Sequence, residues 1–369
     1  MGATILATDW SNYAISSENN LSRGAVLSRQ FNKWRPRVSS APYIADAVYN
    51  YIIQKERAEY GVDSLSNLSF AHSFAPFDSS EVSLNISMME FLRQIAPLAD
   101  SAVKINMKVD KIVLNGSNTG RPMLVYTSSN VTFSADHVIV TVSLGHLKAN
   151  IAALFDPPLS ERKREAIRLA GFGTRERIVL VYNTSWWRAV WPEMKNGVKV
   201  GILKNLQPEA ELLLSAWTAS IAEFSEDTHI PNALQFEFSL DAESSVENVT
   251  DASVQDDLTV LLRTITPNVT IMELPVAIYR DNWERNRLSA GTHSFFAVEL
   301  ATSAQNLSFL DLASPDPAFG YSKHLHGADR LVPGLLFAGE HTHPSLSSTV
   351  PGAILSGFRE ANRLAMVYT

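Results

Sequence analysis

The segment that most constrains the fold is the last one. Leu335-Leu336-Phe337-Ala338 is a short apolar run of strand type, stopped by Gly339. Glu340-His341-Thr342-His343-Pro344 and a Ser-rich stretch follow, and Pro351 stands where a helix can start. Ser348 or Thr349 can cap that helix, and proline suits its first turn. Ile354, Phe358, Ala361 and Ala365, spaced 4, 3 and 4, are expected to form its buried stripe. Strand, Gly-Glu, loop and helix start together suit an anionic or electron-accepting ligand. Gly339 admits close backbone approach, and Glu340 can accept hydrogen bonds from hydroxyls. The N–H groups around Val350 to Ala353, backed by the helix dipole, stabilise negative charge. Taken as physics alone, the pattern is common and does not name the ligand.

The chain upstream alternates between two periods. Ala45 to Glu56 and Met88 to Ala96 have helical spacing, separated by a loop-like stretch from Ser64 to Asn85. Val103, Ile105, Met107 and Val109 alternate with polar residues, as a strand would. With Ile112 to Leu114, Leu124 to Thr127 and Val131 to Phe133 they predict a small antiparallel meander, followed by a central strand in Asp136 to Ser143. After the Pro157-Pro158 break a helix is expected from Ser160 to Leu169. Strands are predicted at Ile178 to Tyr182, Val198 to Leu203, Leu212 to Trp217, Leu234 to Leu240, Glu273 to Tyr279 and Ser294 to Val298. A helix after Thr250-Asp251 should bury Val254, Leu258, Leu261 and Leu262. The fold class expected is α/β, of mixed α+β character.

Composition narrows the chemistry. A chain of 369 residues with 46% hydrophobic and 19% charged residues builds a large core without covalent staples. There is no cysteine, which excludes thiol catalysis, Cys-ligated zinc and iron–sulfur clusters. Net charge is -7 with no basic stripe, so nucleic acid is not an expected partner. No stretch approaches the roughly 18 apolar residues of a membrane span. Asn-x-Ser/Thr sequons begin at Asn20, Asn67, Asn85, Asn115, Asn130, Asn183, Asn248, Asn268 and Asn306. They favour a secreted or lumenal location over a cytoplasmic one. Met1 to Ala7, by contrast, lacks the basic region of a signal peptide. Oligomeric state has no signature in the sequence.

Leu335 to Leu364, LLFAGEHTHPSLSSTVPGAILSGFREANRL, resembles the C-terminal flavin motif of the FAD-dependent amine oxidases, closest to the spermine oxidase and acetylpolyamine oxidase branch. Three further blocks agree in order: Val138 to Gly145; Gly171-Phe172-Gly173-Thr174 to Val181 with Trp186-Trp187; and Trp283 with Gly291 and Ser294-Phe295-Phe296. The resemblance implies FAD as cofactor and a small cationic amine and O2 as reactants. Glu340, beside Gly339, is then implied at the FAD ribityl or phosphate region. Thr349 and Val350 are implied at the flavin ring edge, and the Val109 main chain at the adenine. The implied reaction is hydride transfer from the carbon beside an amine nitrogen to the flavin. It yields an aldehyde, a shortened amine and H2O2. It also implies residues 99–148 and 331–369 as part of an FAD-binding domain, 149–330 as a substrate domain with a mixed sheet, and 1–98 as a helical part of that domain.

Two departures from the family pattern stand out. The family opens with a G-x-G-x-x-G turn that holds the FAD pyrophosphate. Gly171-Phe172-Gly173 is followed by Thr174-Arg175-Glu176 and is not that turn. The chain is therefore expected to begin inside the substrate domain, with an incomplete FAD site. Arg177 stands where the family usually has a lysine hydrogen-bonded through water to the flavin, and the exchange of a point charge for a planar fork is not conservative. These departures leave open a degenerate, non-catalytic secreted glycoprotein of the same fold. A monoamine oxidase is a further alternative, which Ser347 and Thr349 disfavour because tyrosines would flank the flavin there. His341-x-His343 and His324-x-His326 are not expected to bind metal. Trp186, Trp187 and Trp191 are expected to pack rather than line a tunnel.

Overall fold

A computed structural model describes residues 21–38, 42–71, 86–96, 102–116, 120–204, 214–240, 246–266 and 273–369. Helix α1 (Arg23–Trp34) starts at Ser22, whose Oγ accepts the Ala25 N–H at 3.1 Å. Helix α2 (Pro42–Tyr60) extends beyond the expected span at both ends, and Arg23 Nη2 joins it to α1 by donating to Glu56 Oε1 at 2.8 Å. Helix α3 (Met88–Ile95) lies where its spacing placed it and buries none of its residues.

Strands β1 (Val109–Leu114), β2 (Met123–Thr127) and β3 (Thr132–Ala135) form the expected meander. The alternation beginning at Val103 is not strand. Val103 and Ile105 are 51% and 76% exposed, and the ladder begins only at Val109, opposite Thr127 where β2 ends. Alternation supplies two faces but not a partner. Strand β4 (Val138–Val140) leads through the Ser143 cap into α4 (Leu144–Leu154). Then β5 (Phe155–Asp156) adds to β1 in parallel, and α5 (Glu161–Leu169) follows.

Beyond β6 (Gly171–Gly173), β7 (Glu176–Val181), β8 (Lys199–Gly201), β9 (Glu223–Glu226) and β10 (Ala233–Phe238) build an antiparallel sheet. Helix α6 (Asp251–Ile265) buries Val254, Leu258, Leu261 and Leu262 as expected, and β11 (Ala277–Arg280) completes the order β11-β7-β10-β9-β8. The strand predicted at Leu212 to Trp217 falls partly outside the described residues. Its remainder enters a 3-10 turn, Ala216–Ser220, in which Trp217 Nε1 donates to Asp257 of α6 at 2.7 Å. The strand of this region is β9 instead.

Strand β12 (His293–Phe295) pairs with β6, and the predicted continuation to Val298 becomes helix α7 (Val298–Ala301). Helix α8 (Phe309–Ala313) opens on a Ser308/Asp311 capping box. Strands β13 (Gly320–Leu325) and β14 (Ala328–Pro333) form a hairpin turning at His326 (φ 53) and Gly327 (φ 79). Two positive φ values mark a tight hairpin turn, whose usual Asn-Gly signal is absent here. Strand β15 (Leu335–Phe337) pairs in parallel with β4, and α9 (Val350–Tyr368) ends the chain. The described residues form a mixed helix and sheet fold, with no closed barrel among them. Among the described residues no helix is long and apolar enough to cross a membrane.

Two hydrophobic cores form among the described residues. One joins β1, β2, β4, β15, α4, α5 and α8 with the segment around Leu65 and Leu68, and it also takes in Phe295 and Phe319. The other lies between the five-stranded sheet and α6. Trp187 is fully buried there, with Trp186 and Trp191 packed against that core, which fits structural tryptophans.

Of the stripe expected on α9, Ile354 is half-buried and the other three residues are turned outward. Phe358 is 60% exposed and Ala361 and Ala365 are exposed, whereas Gly352, Ser356 and Glu360 are buried. The reason is close approach: a Cβ on Gly352 would lie 2.0 Å from the Leu346 carbonyl oxygen, so small and polar residues face inward.

Lys163 on α5 is buried, and Nζ donates to the carbonyls of Asp311 (2.8 Å), Leu312 (2.9 Å) and Ser314 at the end of α8, 4.2 Å from the Phe337 ring centroid. Burial pushes its amine down to about 7, against the pull of Asp316 and Asp311. Lys163→Met keeps the bulk but removes the donors. It should lower the unfolding free energy by about 2–4 kcal/mol, read as a fall in the urea midpoint.

Candidate functional site

The site expected from the sequence is built around the turn after β15. Gly339 takes φ 133, and a Cβ there would stand 2.7 Å from His341 Cε1, so the position favours glycine on both counts. Its N–H donates to Ser356 Oγ at 2.8 Å, which holds the turn against the buried face of α9. Arg359, one helical turn on, donates to the Phe337 carbonyl at 2.8 Å and the Thr342 carbonyl at 2.9 Å. Strand end, turn and helix are thus strapped together.

Glu340 is the centre of this unit. Its Oε2 accepts the Ser294 hydroxyl at 2.6 Å and the Ser348 N–H at 2.7 Å, while Oε1 accepts the Ser294 N–H at 3.2 Å. Ser348, at φ 66, donates its own hydroxyl to the Ser294 carbonyl. Burial raises the Glu340 carboxyl above its ordinary value, and these hydrogen bonds pull it back. Thr349 caps α9, with Oγ1 accepting the Gly352 N–H at 3.0 Å and donating to the Leu346 carbonyl at 2.8 Å. Val350, 43% exposed, begins the helix, so the positive end of α9 opens outward. Gly339, Glu340, Thr349 and Val350 therefore share one turn–helix unit.

Val109 lies apart from them in sequence, at the first residue of β1. Strand β5 covers the neighbouring edge of β1 only at Ile112 and Val113, which leaves the Val109 end of that edge unpaired by it. Arg177 is on β7. Its Nη2 donates to Asp227 at 2.6 Å and to Gln235 Oε1 at 3.3 Å. The Asp227 side chain is only 2% exposed and also accepts the His229 and Ile230 N–H groups, each at 2.8 Å. The guanidinium is thus held along the sheet by a built anion.

Sequence reasoning assigned no role to Ser294 or Asp227, and offered Ser348 only as an alternative helix cap, a place that Thr349 takes while the Ser348 N–H binds Glu340. Ser294 lies within a block that resembles the family, but its bonds to Glu340 span 46 residues and have no local signal. Among the described residues no group of three His, Cys, Asp or Glu could hold a metal. His343 Nδ1 accepts the Leu346 N–H at 3.0 Å. His341 is buried and pushed down to about 4, first by burial and then by the charges of Lys163 and Arg359.

The donor set fits a polyhydroxyl, anionic cofactor. Glu340 Oε1 keeps acceptor capacity, and the capped N-terminus of α9 offers a positive end beside it. Strand, Gly-Glu turn, carboxylate and helix start suit an anionic, hydroxyl-bearing ligand, and the family supplies its identity. Residues 35–365 match the family described as flavin containing amine oxidoreductase, and the chain belongs to that family. FAD is the cofactor that membership implies. The chain is 32% identical over 293 residues to the human peroxisomal N(1)-acetyl-spermine/spermidine oxidase, covering 74% of this chain and 52% of that protein. It is 27% identical over 378 residues to the probable polyamine oxidase 5 of Arabidopsis thaliana, covering 92% of this chain and 64% of that protein. A possible lysine-specific histone demethylase 1 of Drosophila melanogaster is 29% identical over 282 residues, covering 72% and 28% respectively. The chain spans about half the length of the human relative.

Two outcomes test this geometry. Glu340→Ala leaves the Ser294 and Ser348 N–H groups without their acceptor and should cost about 1–3 kcal/mol of stability in urea unfolding. His341, neutral in the fold, has a folded pKa below its unfolded value, so protons favour the unfolded chain as pH falls from about 6.5 towards 4. Stability should be full above pH 6.5 and drop by roughly 3 kcal/mol across that window. His341→Leu should flatten this part of the acid limb in a thermal melt series.

Proposed function

We propose that the protein oxidises a polyamine of the spermine or acetylpolyamine type, using FAD and O2. The observation that carries the substrate class is a cavity of about 630 Å³ beside the β6–β12 ladder, whose Ser294 anchors Glu340. Asp63, Glu176, Glu284 and Glu299 line it against only Lys148 and Arg168, with Phe172 and Phe295 among its apolar walls. An excess of carboxylates beside aromatic rings suits a chain of ammonium groups joined by methylenes. The similarity to the human N(1)-acetyl-spermine/spermidine oxidase and the Arabidopsis probable polyamine oxidase supports the same class.

In this reading Glu340 accepts from the ribityl hydroxyls, Thr349 and Val350 present the start of α9 to the ring edge, and the Val109 main chain meets the adenine. The bound flavin supplies a two-electron acceptor for the carbon beside the amine nitrogen, and O2 takes the electrons on as H2O2. The protein's own contribution is to place that carbon, hold the distal charges on carboxylates and keep water away. Arg177 supplies a fixed positive charge whose compensation by Asp227 moderates its field.

Purified protein with excess FAD should turn yellow and be bleached anaerobically by spermine or N1-acetylspermine, but not by benzylamine. Bleaching by benzylamine alone would move the reading to a monoamine, and a colourless protein would overturn it. Arg177→Met should leave FAD binding unchanged and slow bleaching on the order of a hundredfold. An unchanged rate would confine Arg177 to the sheet ion pair.

A further inference from the structure

Amine oxidation leaves the nine Asn-x-Ser/Thr triplets unexplained. Five lie wholly within the described residues, beginning at Asn67, Asn130, Asn183, Asn248 and Asn306, and all five asparagines are exposed. A purely structural origin accounts for part of the pattern. Thr250 Oγ1 caps α6 by accepting the Ser253 N–H at 3.3 Å, and Ser308 caps α8 by accepting the Leu310 N–H at 3.2 Å. Ser22 and Ser87 cap α1 and α3 in the same way. Capping explains the hydroxyl residue but makes no demand on the residue two places before it. Asn130 (φ 59) and Asn306 (φ 49) sit in the left-handed region that asparagine tolerates. Asn183 and Asn248 have no positive φ, and Asn67 Nδ2 uses one proton on Asp63 Oδ1 at 3.0 Å and keeps the other.

We propose that the protein is an N-glycoprotein, modified at Asn67, Asn130, Asn183, Asn248 and Asn306. The donor is a lipid-linked oligosaccharide pyrophosphate. A bond forms between the asparagine Nδ2 and the sugar C1 as the C1–O bond to the lipid pyrophosphate breaks. The amide loses one proton and the lipid pyrophosphate leaves. All five acceptors face solvent, four on turns or loops and Asn248 at the end of the 3-10 helix Val246–Asn248, so a bulky sugar displaces no packed side chain. Asn67 also lines the rim of the carboxylate cavity, so its glycan stands at that entrance.

The test takes the protein from its own cells and treats it with peptide N-glycosidase in heavy-oxygen water. Enzymatic release leaves an aspartyl residue carrying the heavy isotope, read by peptide mass spectrometry. Label at the five positions with a drop in intact mass is the expected result. An intact mass equal to that of the bare chain overturns the proposal, and an unlabelled asparagine overturns it at that position. Folding is controlled at α6: Asn248→Gln should remove one glycan mass step while keeping the cap. Thr250→Ser should keep both, and Thr250→Ala should remove both.

Discussion

The structure around the C-terminal turn depends on one carboxylate. Glu340 binds Ser294 of β12 and the Ser348 backbone of the loop before α9, so a single side chain joins strand, loop and helix. Strand β12 in turn pairs with β6, which runs directly into β7 of the five-stranded sheet. A buried acid is costly unless satisfied, and here three donors satisfy it. Its position is therefore over-determined, the condition under which a binding group keeps a fixed geometry. Gly339, with positive φ and no room for a Cβ, sets the angle at which Glu340 enters this network.

What the sequence shows and what it hides divide along the range of the interaction. Helix α6 was legible because its apolar positions and its Thr250 cap are local, and both appear in the structure as expected. The β1–β3 meander was legible from alternation between turns. Strand β9 gives no clear sequence signal, and the region before it looks like strand, because a short buried stretch there has no periodicity beyond what a 3-10 turn also has. The turn–helix unit of Gly339, Glu340, Thr349 and Val350 was legible because it is contiguous. The bonds from Ser294 to Glu340, and from Asp227 to Arg177, were not, since nothing in residue spacing reports a contact across 46 or 50 positions.

Helix α9 shows where a hydrophobic pattern misleads. The apolar stripe counts chemistry, whereas packing at this site is decided by size. Gly352 lies against the Leu346 carbonyl and Ser356 binds the Gly339 N–H, so the helix approaches the loop more closely than leucine or phenylalanine permits. Leu355, Phe358 and Met366 are consequently left facing solvent. The same closeness lets Arg359 reach the carbonyls of Phe337 and Thr342, which a bulkier interface would place out of range.

Lys163 carries a consequence of another kind. Its ammonium is enclosed between the carbonyls ending α8 and the Phe337 ring, joining α5, α8 and β15 at one point. A lysine enclosed in this way is hidden from water-borne amine-acylating reagents while those three elements stay docked. Its rate of acylation relative to the exposed lysines is accordingly a built-in clock for how often the first core opens.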